Sequence, residues 1–264
     1  MSFRSAPLMP VAAVLVLAAP LAAADAISTD RPGFLFATSV LEPGGVQLEA
    51  GVPNLVRDDG GGVRSTLINF PTVLRLGLGA ALELQVGHSL FNHAEVEAGA
   101  LETDESGLGD LALGLKWAAP MGESAPQLVL VGTANVPTGD DEFSSGRPAY
   151  FLNAVAGWDL GGGRSLSAMA GYARAPEDGG GHAESGAAVA SLGFPLGGDW
   201  GGYVEAGHFP GFGGTADTAF AGGGVTWRID DRLQLDAFFD RGLNSASPDW
   251  MIGAGVSVRF RDGR

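Results

Sequence analysis

Residues 250–260 constrain this chain more than any other stretch. Trp250, Ile252, Ala254, Val256, Val258 and Phe260 occupy the even positions, and Met251, Gly253, Gly255, Ser257 and Arg259 the odd ones. A strand turns alternate side chains to opposite faces. One face is therefore apolar with an aromatic at each end, and the other is small or polar. A soluble sandwich would aim the apolar face at a core. A membrane barrel would aim it at lipid and set the aromatics at the two interfaces.

The chain also opens like an exported protein. Arg4 provides a positive start, residues 11–21 are apolar, and Ala22, Ala23 and Ala24 offer a small-residue cleavage site. Residues 1–24 are read as a signal peptide. The apolar run is too short to cross a bilayer comfortably, and no later run approaches the length of a membrane helix.

Composition excludes several classes. Cysteine is absent, so there is no disulfide framework and no thiol chemistry. The 43 glycines are too many for a helical protein and follow no collagen period. The formal net charge is −15 and Lys116 is the only lysine, which argues against nucleic acid as a partner. Mean hydropathy is nevertheless positive, at +0.17. That suits a barrel whose outside faces lipid.

Period-two patterning recurs over residues 45–56, 66–78, 81–90, 109–118, 126–137, 149–159, 164–174, 186–195, 200–209, 217–229, 232–241 and 249–260. The expected fold is all-β: a transmembrane antiparallel up-and-down barrel of about twelve strands, with eight, ten or fourteen left open. Segment 126–137 is ambiguous, because Leu128, Val129, Leu130 and Val131 are apolar on both parities. Short connections alternate with longer ones, such as 92–108 and 138–148. Short turns belong to the periplasmic side of such barrels. Trp117, Trp158, Trp200 and Trp227 then gather at that side with Phe194 and Phe260, and Tyr150, Tyr172, Phe239 and Trp250 at the other. The expected organisation is a signal peptide (1–24), a periplasmic or plug segment (25–44), the barrel (45–260) and a short tail (261–264). Such a protein resides in a Gram-negative outer membrane. Its expected partners are outer-membrane lipid, lipopolysaccharide and the barrel assembly machinery.

The start of the exported part, Ile27-Ser28-Thr29-Asp30-Arg31-Pro32-Gly33-Phe34, resembles the "TDRPDF" opening of the outer-membrane barrel family named for a MetA pathway of phenol degradation. Pro43-Gly44-Gly45-Val46-Gln47-Leu48-Glu49 is similar to its "PGxxQxE" first strand. Leu74 to Leu78 with Leu82-Glu83-Leu84 resembles its second hairpin. Gly107 to Leu111 matches "GLGDL", and Pro137-Thr138-Gly139 matches "PTG". Gly33 departs from the family's usual Asp. The resemblance implies passage of hydrophobic or aromatic compounds and fixes neither a substrate nor catalytic residues.

A barrel of about twelve strands would be about 25 Å across, leaving a pore of about 10 Å for small solutes. Parity places Glu49, Arg75, Glu83, Asp110, Lys116, Asp159, Glu205, Arg228, Asp236, Asp240 and Arg259 inside, with Phe151, Phe220 and Phe238. Facing lipid, those charges would be costly. Inside, they either set selectivity or brace the wall as ion pairs. Asp30, Arg31 and Phe34 are candidates for a plug, against the plainer reading of a periplasmic tail. The outer acids Glu95, Glu97, Glu102, Asp104 and Glu105, then Asp140, Asp141 and Glu142, read as a solvated surface bridged to lipopolysaccharide by divalent ions rather than a specific metal site. No cofactor is implied. Enzymatic chemistry would need a Ser activated by a His, and His88 and Ser89 are neighbours facing opposite ways. The expected function is passive passage of a small hydrophobic or aromatic compound through a non-enzymatic channel. The alternatives are a structural or adhesive barrel, or a lipid hydrolase.

Overall fold

The computed structural model describes residues 26–122, 125–177 and 179–261. The signal-like residues 1–24 lie outside them. The strands are β1 (Val46–Gly60), β2 (Val63–Gly79), β3 (Leu82–Ala98), β4 (Leu101–Gly107), β5 (Leu111–Ala118), β6 (Gln127–Val136), β7 (Ala149–Gly161), β8 (Arg164–Pro176), β9 (His182–Gly197), β10 (Trp200–Phe209), β11 (Gly211–Phe212), β12 (Thr218–Asp230), β13 (Leu233–Gly242) and β14 (Trp250–Arg261). All pair antiparallel, and β14 pairs with β1 to close the ring. β4 and β5 both pair with β3, one after the other, and act as a single stave. β10 and β11 share β9 in the same way. The result is a closed barrel of 12 strands. Closure leaves the ring of twelve staves without an open seam, which a bilayer requires.

The alternation of residues 250–260 resolves as a lipid-facing and a lumenal row. Gly253, Gly255 and Ser257 are buried inside, while Ile252 and Phe260 are exposed outside. Trp117, Trp158, Trp200 and Trp227 are also exposed on the outer face, with Trp200 and Trp227 paired in register and their rings stacked at 5.2 Å. Indole suits this position because its ring is apolar and its N–H can meet the interface.

Two local features depart from simple alternation. β1 carries a bulge between Gly51 and Asn54, irregular against both β2 and β14. Pro53, which has no N–H to offer the ladder, sits in it. The extra residue swaps parity, so Gln47, Glu49 and Gly51 are buried before the bulge, and Asn54 and Val56 after it. The second departure corrects the expected loop at 92–108. Those residues instead extend β3 and fold back as β4, with Val96 opposite Thr103 and Ala98 opposite Leu101. Alternating Val96 and Thr103 with solvated acids suits strands raised above the membrane as well as it suits a loop, and the same stretch of β3 also pairs with residues 63–69 of β2. The β1–β2 hairpin also rises beyond its expected length, turning through Gly61 and Gly62 at φ of 63° and 81°. Two consecutive positive φ values favour glycine, with Asn or Asp the usual alternative at the first of them.

The ambiguous segment 126–137 becomes β6, which is apolar on both faces for a structural reason. Leu130 faces outward, and Val129 and Val131 are fully buried inside against Leu35 and Phe36. The barrel therefore has a small lumenal core, made by residues that precede β1.

Candidate lumenal site

Residues 26–45 enter the barrel and lie across it. Glu49 of β1 anchors the entry. Its carboxylate accepts the backbone N–H of Asp30 at 2.9 Å and of Arg31 at 3.0 Å, and the Gln47 amide at 2.8 Å. The Arg75 guanidinium bridges two strands, donating to Glu49 at 2.7 Å and to Glu83 at 2.7 Å and 2.9 Å. Glu83 also accepts the Leu41 N–H at 2.8 Å, holding the far end of the segment. Asp30 is met by Lys116 Nζ at 2.8 Å, by the Gln85 amide at 2.6 Å and by the Ala37 N–H at 2.8 Å. Arg31 reaches past β14 to the other flank of β1, where it forms a two-point contact with Asp236 of β13. Gln234 donates to Thr29 at 2.9 Å, and Glu205 of β10 accepts the Phe34 N–H at 3.0 Å.

These groups are almost wholly withdrawn from water. Arg31, Arg75, Lys116 and Glu83 are 0% exposed. Buried charges are tolerable only when they are paired and their remaining hydrogen-bonding capacity is met. Backbone N–H groups of the segment supply part of that capacity, while Arg31 Nη1 and Glu205 Oε1 are left without a hydrogen-bond partner among the described residues.

Glycines let the segment approach. A methyl group at Gly255 would fall 2.2 Å from Arg31 Nε, and one at Gly77 would fall 1.9 Å from the Glu42 carbonyl oxygen. Apolar contacts complete the fit. Phe34 packs on Phe220 with ring centroids 4.2 Å apart and on Phe209 at 6.0 Å. Leu35 and Phe36 cover Val129, Val131, Val155, Met169 and Val189 of β6 to β9.

Above the segment, towards the outer loops, lies a cavity of about 500 Å³. Its floor includes Asp30 and Phe36, its wall Asn69, Gln85, His88 and Asn92, and its mouth residues 142–147. Asn69 Oδ1 and His88 Nδ1 are buried and have no hydrogen-bond partner among the described residues.

At the rim, Asp110 folds the outer loop 137–148 inward. Its carboxylate accepts the N–H groups of Thr138, Gly139 and Ser145, each at 3.0 Å, and the Ser145 hydroxyl at 2.9 Å. Partial burial alone would raise its pKa. The hydrogen bonds from Ser145, Ser144 and Gly139 outweigh that and hold the carboxyl below the usual carboxylate range.

The expected pore-lining residues thus separate by location. Glu49, Arg75, Glu83, Lys116, Asp236 and Glu205 bind residues 26–45, whereas among the charged wall candidates Asp110 borders the cavity. Asp240 and Phe238 are buried near Tyr203, away from it. Phe220 packs under Phe34, and Phe151 is half-buried on β7. Asp159 is exposed and caps its own turn by accepting the Gly161 N–H at 2.7 Å. Arg228 pairs with Asp199 at 3.5 Å at the neighbouring turn, and Arg259 donates to Gln47 at 3.3 Å. Of the three plug candidates, Asp30 and Arg31 join the polar network and Phe34 the apolar one.

Sequence reasoning did not assign Asn69, His88 and Asn92 to a cavity. Asn69 shares the inward parity of Pro71 and Arg75, and for Asn92 the missed signal was one of the two bulges. That bulge lies between β2 and β3, where Asn69 pairs with Asn92 and Pro71 with Ser89. It turns Asn92 inward and leaves Leu90 and Phe91 exposed.

One Ser–His–carboxylate array does occur. His93 Nδ1 lies 2.9 Å from Ser106 Oγ, and His93 Nε2 lies 3.2 Å from Glu95. It stands on the outer β3–β4 ribbon, and neither His93 nor Ser106 lines the cavity.

Among solved structures, the outer membrane channel of Pseudomonas putida F1 is similar to this barrel. It aligns at a TM-score of 0.68 and 17% identity, over 88% of this chain and 100% of the other. The translocator domain of the autotransporter NalP from Neisseria meningitidis aligns at 0.56 and 13% identity, over 82% of this chain and 88% of that one. The beta domain of a Bordetella autotransporter aligns at 0.56 and 15% identity, over 83% and 100%. At such identities the likeness establishes the fold of an outer-membrane barrel. Among curated protein sequences there is no match. The family model described as "Putative MetA-pathway of phenol degradation" matches residues 29–260, from the lumenal segment to the last strand, and the chain belongs to that family.

Proposed function

We propose that this outer-membrane barrel is a passive channel for small hydrophobic or aromatic solutes, with residues 26–45 acting as its plug. The observation that carries the reading is the cavity of about 500 Å³ that opens among the outer loops and ends on Asp30 and Phe36. Its wall mixes uncharged amides with apolar side chains. Such a lining accommodates a solute with one polar group and an apolar body. The family description and the likeness to a channel of Pseudomonas putida F1 support the same reading. The reading is non-enzymatic, because the Ser106–His93–Glu95 array is on the exposed outer ribbon rather than in the cavity.

The test is planar-bilayer conductance of the refolded barrel, compared with a variant lacking residues 27–41. Larger steps in the deletion variant, and block of either form by phenols or aromatic acids, are the expected result. Unchanged conductance would remove the plug. A folded barrel that stays silent in both forms would favour the second reading, a structural barrel. The specific observation on that side is the complete burial of Arg31, Arg75 and Lys116, which ties the segment down firmly.

A further inference from the structure

One quarter of the lumenal wall holds two buried acids that no described basic side chain answers. Glu205 on β10 and Asp240 on β13 both stand directly beside Gly222 of β12 in the ladder. The two carboxylates spring from strands two spacings, about 10 Å, apart on either side of β12, and glycine places nothing between them. A methyl group at Gly222 would meet Asp240 Oδ1 at 2.0 Å, so the Asp240 carboxylate lies over the glycine. Tyr203, two residues before Glu205, crosses Gly224 in the same manner, with its hydroxyl 2.9 Å from where a methyl would be. That hydroxyl is within electrostatic reach of Glu205, Asp240, Asp236 and Arg31.

The burial is nearly complete: Asp240 is 1% exposed, Tyr203 2% and Glu205 5%. Both oxygens of Asp240, Oε1 of Glu205 and the Tyr203 hydroxyl have no hydrogen-bond partner among the described residues. Asp236 is neutralised by Arg31, while neither Glu205 nor Asp240 forms an ion pair with a described Lys or Arg side chain. Two buried carboxylates that flank one glycine without a counter-charge are strongly disfavoured in the ionised state. One divalent ion balances them, and four unpartnered oxygens are the ligand type that hard cations take.

We propose that Glu205, Asp240 and the Tyr203 hydroxyl form a site for one hard divalent cation of the calcium class, inside the barrel wall. Glu205 then acts at both its oxygens. Oε1 holds the ion, and Oε2 accepts the Phe34 N–H at 3.0 Å. The ion fastens the lumenal segment to β10, the side where no described basic side chain does so. The outer ribbon offers a different cluster, His93, Glu95 and Asp104, with ligand atoms within 4.8 Å of one another. Its carboxylates are exposed, and it serves as the internal control.

The experiment is calorimetric titration of calcium chloride into refolded, lipopolysaccharide-free barrel, residues 25–264. One saturable site is expected, weakened about tenfold or more in Asp240→Asn and in Glu205→Gln, where ligand charge falls. Changing His93→Ala, Glu95→Gln and Asp104→Asn together leaves that site intact. The proposal is overturned if folded wild type takes up no calcium, or if binding disappears with the outer cluster and persists in Asp240→Asn. If the carboxylate variants fail to refold, terbium replaces calcium in Tyr203→Phe. Loss of tyrosine-sensitised emission supports the site, and full emission overturns it. These readouts concern ion binding alone, so they stand whether or not the barrel conducts.

Discussion

Arg31 and Asp236 are 205 residues apart in sequence and form a two-point ion pair in the lumen, with both side chains fully buried and Nη2 2.9 Å from Oδ1. The pair joins the segment before the first strand to the strand next to last. Removing one partner leaves the other charge buried alone, at a cost of about 3–5 kcal/mol. Asp236→Ala is therefore expected to lower the temperature at which the folded barrel loses its heat-modifiable gel mobility. The double variant Arg31→Met, Asp236→Leu restores most of the loss, because an apolar pair carries no desolvation penalty. A double variant as unstable as the single one would show that the pair matters for shape and not for charge.

The close approach of Arg31 to β14 makes a second prediction. Gly255→Ala places a methyl group against Arg31 Nε, Nη2 and Cζ. The guanidinium must leave Asp236 or the strand must shift. Residues 26–45 should then become accessible to added protease in Gly255→Ala, while Gly132→Ala, where a methyl meets nothing within 4 Å, changes nothing. Equal protection in both variants would refute the steric role of Gly255.

Asp110 gives a pH dependence outside the membrane. Its folded pKa is held below the ordinary value of about 3.9 by the hydrogen bonds from loop 137–148. The carboxylate's contribution is therefore fully present above the unfolded pKa, and it is lost as pH falls through the lower folded value. Hydrogen exchange at Thr138, Gly139 and Ser145 should accelerate only in strongly acidic solution. Asp110→Asn, which cannot ionise, should exchange faster already at neutral pH. If wild-type protection fades near neutrality instead, Asp110 does not hold the loop.

The cavity supplies a prediction about selectivity. Asn69 and His88 present buried polar atoms without partners among the described residues, beside Val73 and Phe36. Asn69→Leu should weaken block by phenols by about tenfold, the discrimination a missing hydrogen bond of 1–2 kcal/mol gives, while leaving the unblocked conductance unchanged. Competition between phenol and its methyl ether in bilayer recordings measures this. Equal block by both in wild type would remove the hydrogen bond from the account.

The barrel itself was legible because its signal is local. Alternation along 250–260 needs only the pleat to become a lipid face and a lumenal face, and Trp200 and Trp227 mark the interface by their chemistry. Glu49, Arg75 and Glu83 were placed inside by the same parity. The amino-acid sequence therefore determined the all-β class and the inward direction of these charges, and the closed ring settled the strand number at 12 where eight, ten or fourteen had stayed open. It did not determine what the charges meet. Asp30 joins Lys116, and Arg31 joins Asp236, only because closing β14 on β1 brings distant strands around one segment. Bulges at Gly51–Asn54 and beside Asn92 shifted parity by a single residue, which a period-two reading passes over. Whether Val129 faced lipid or a core was likewise decided by Phe36, which is remote in the chain and adjacent in the fold. Period-two patterning reports which way a side chain points, and tertiary closure decides what stands opposite it.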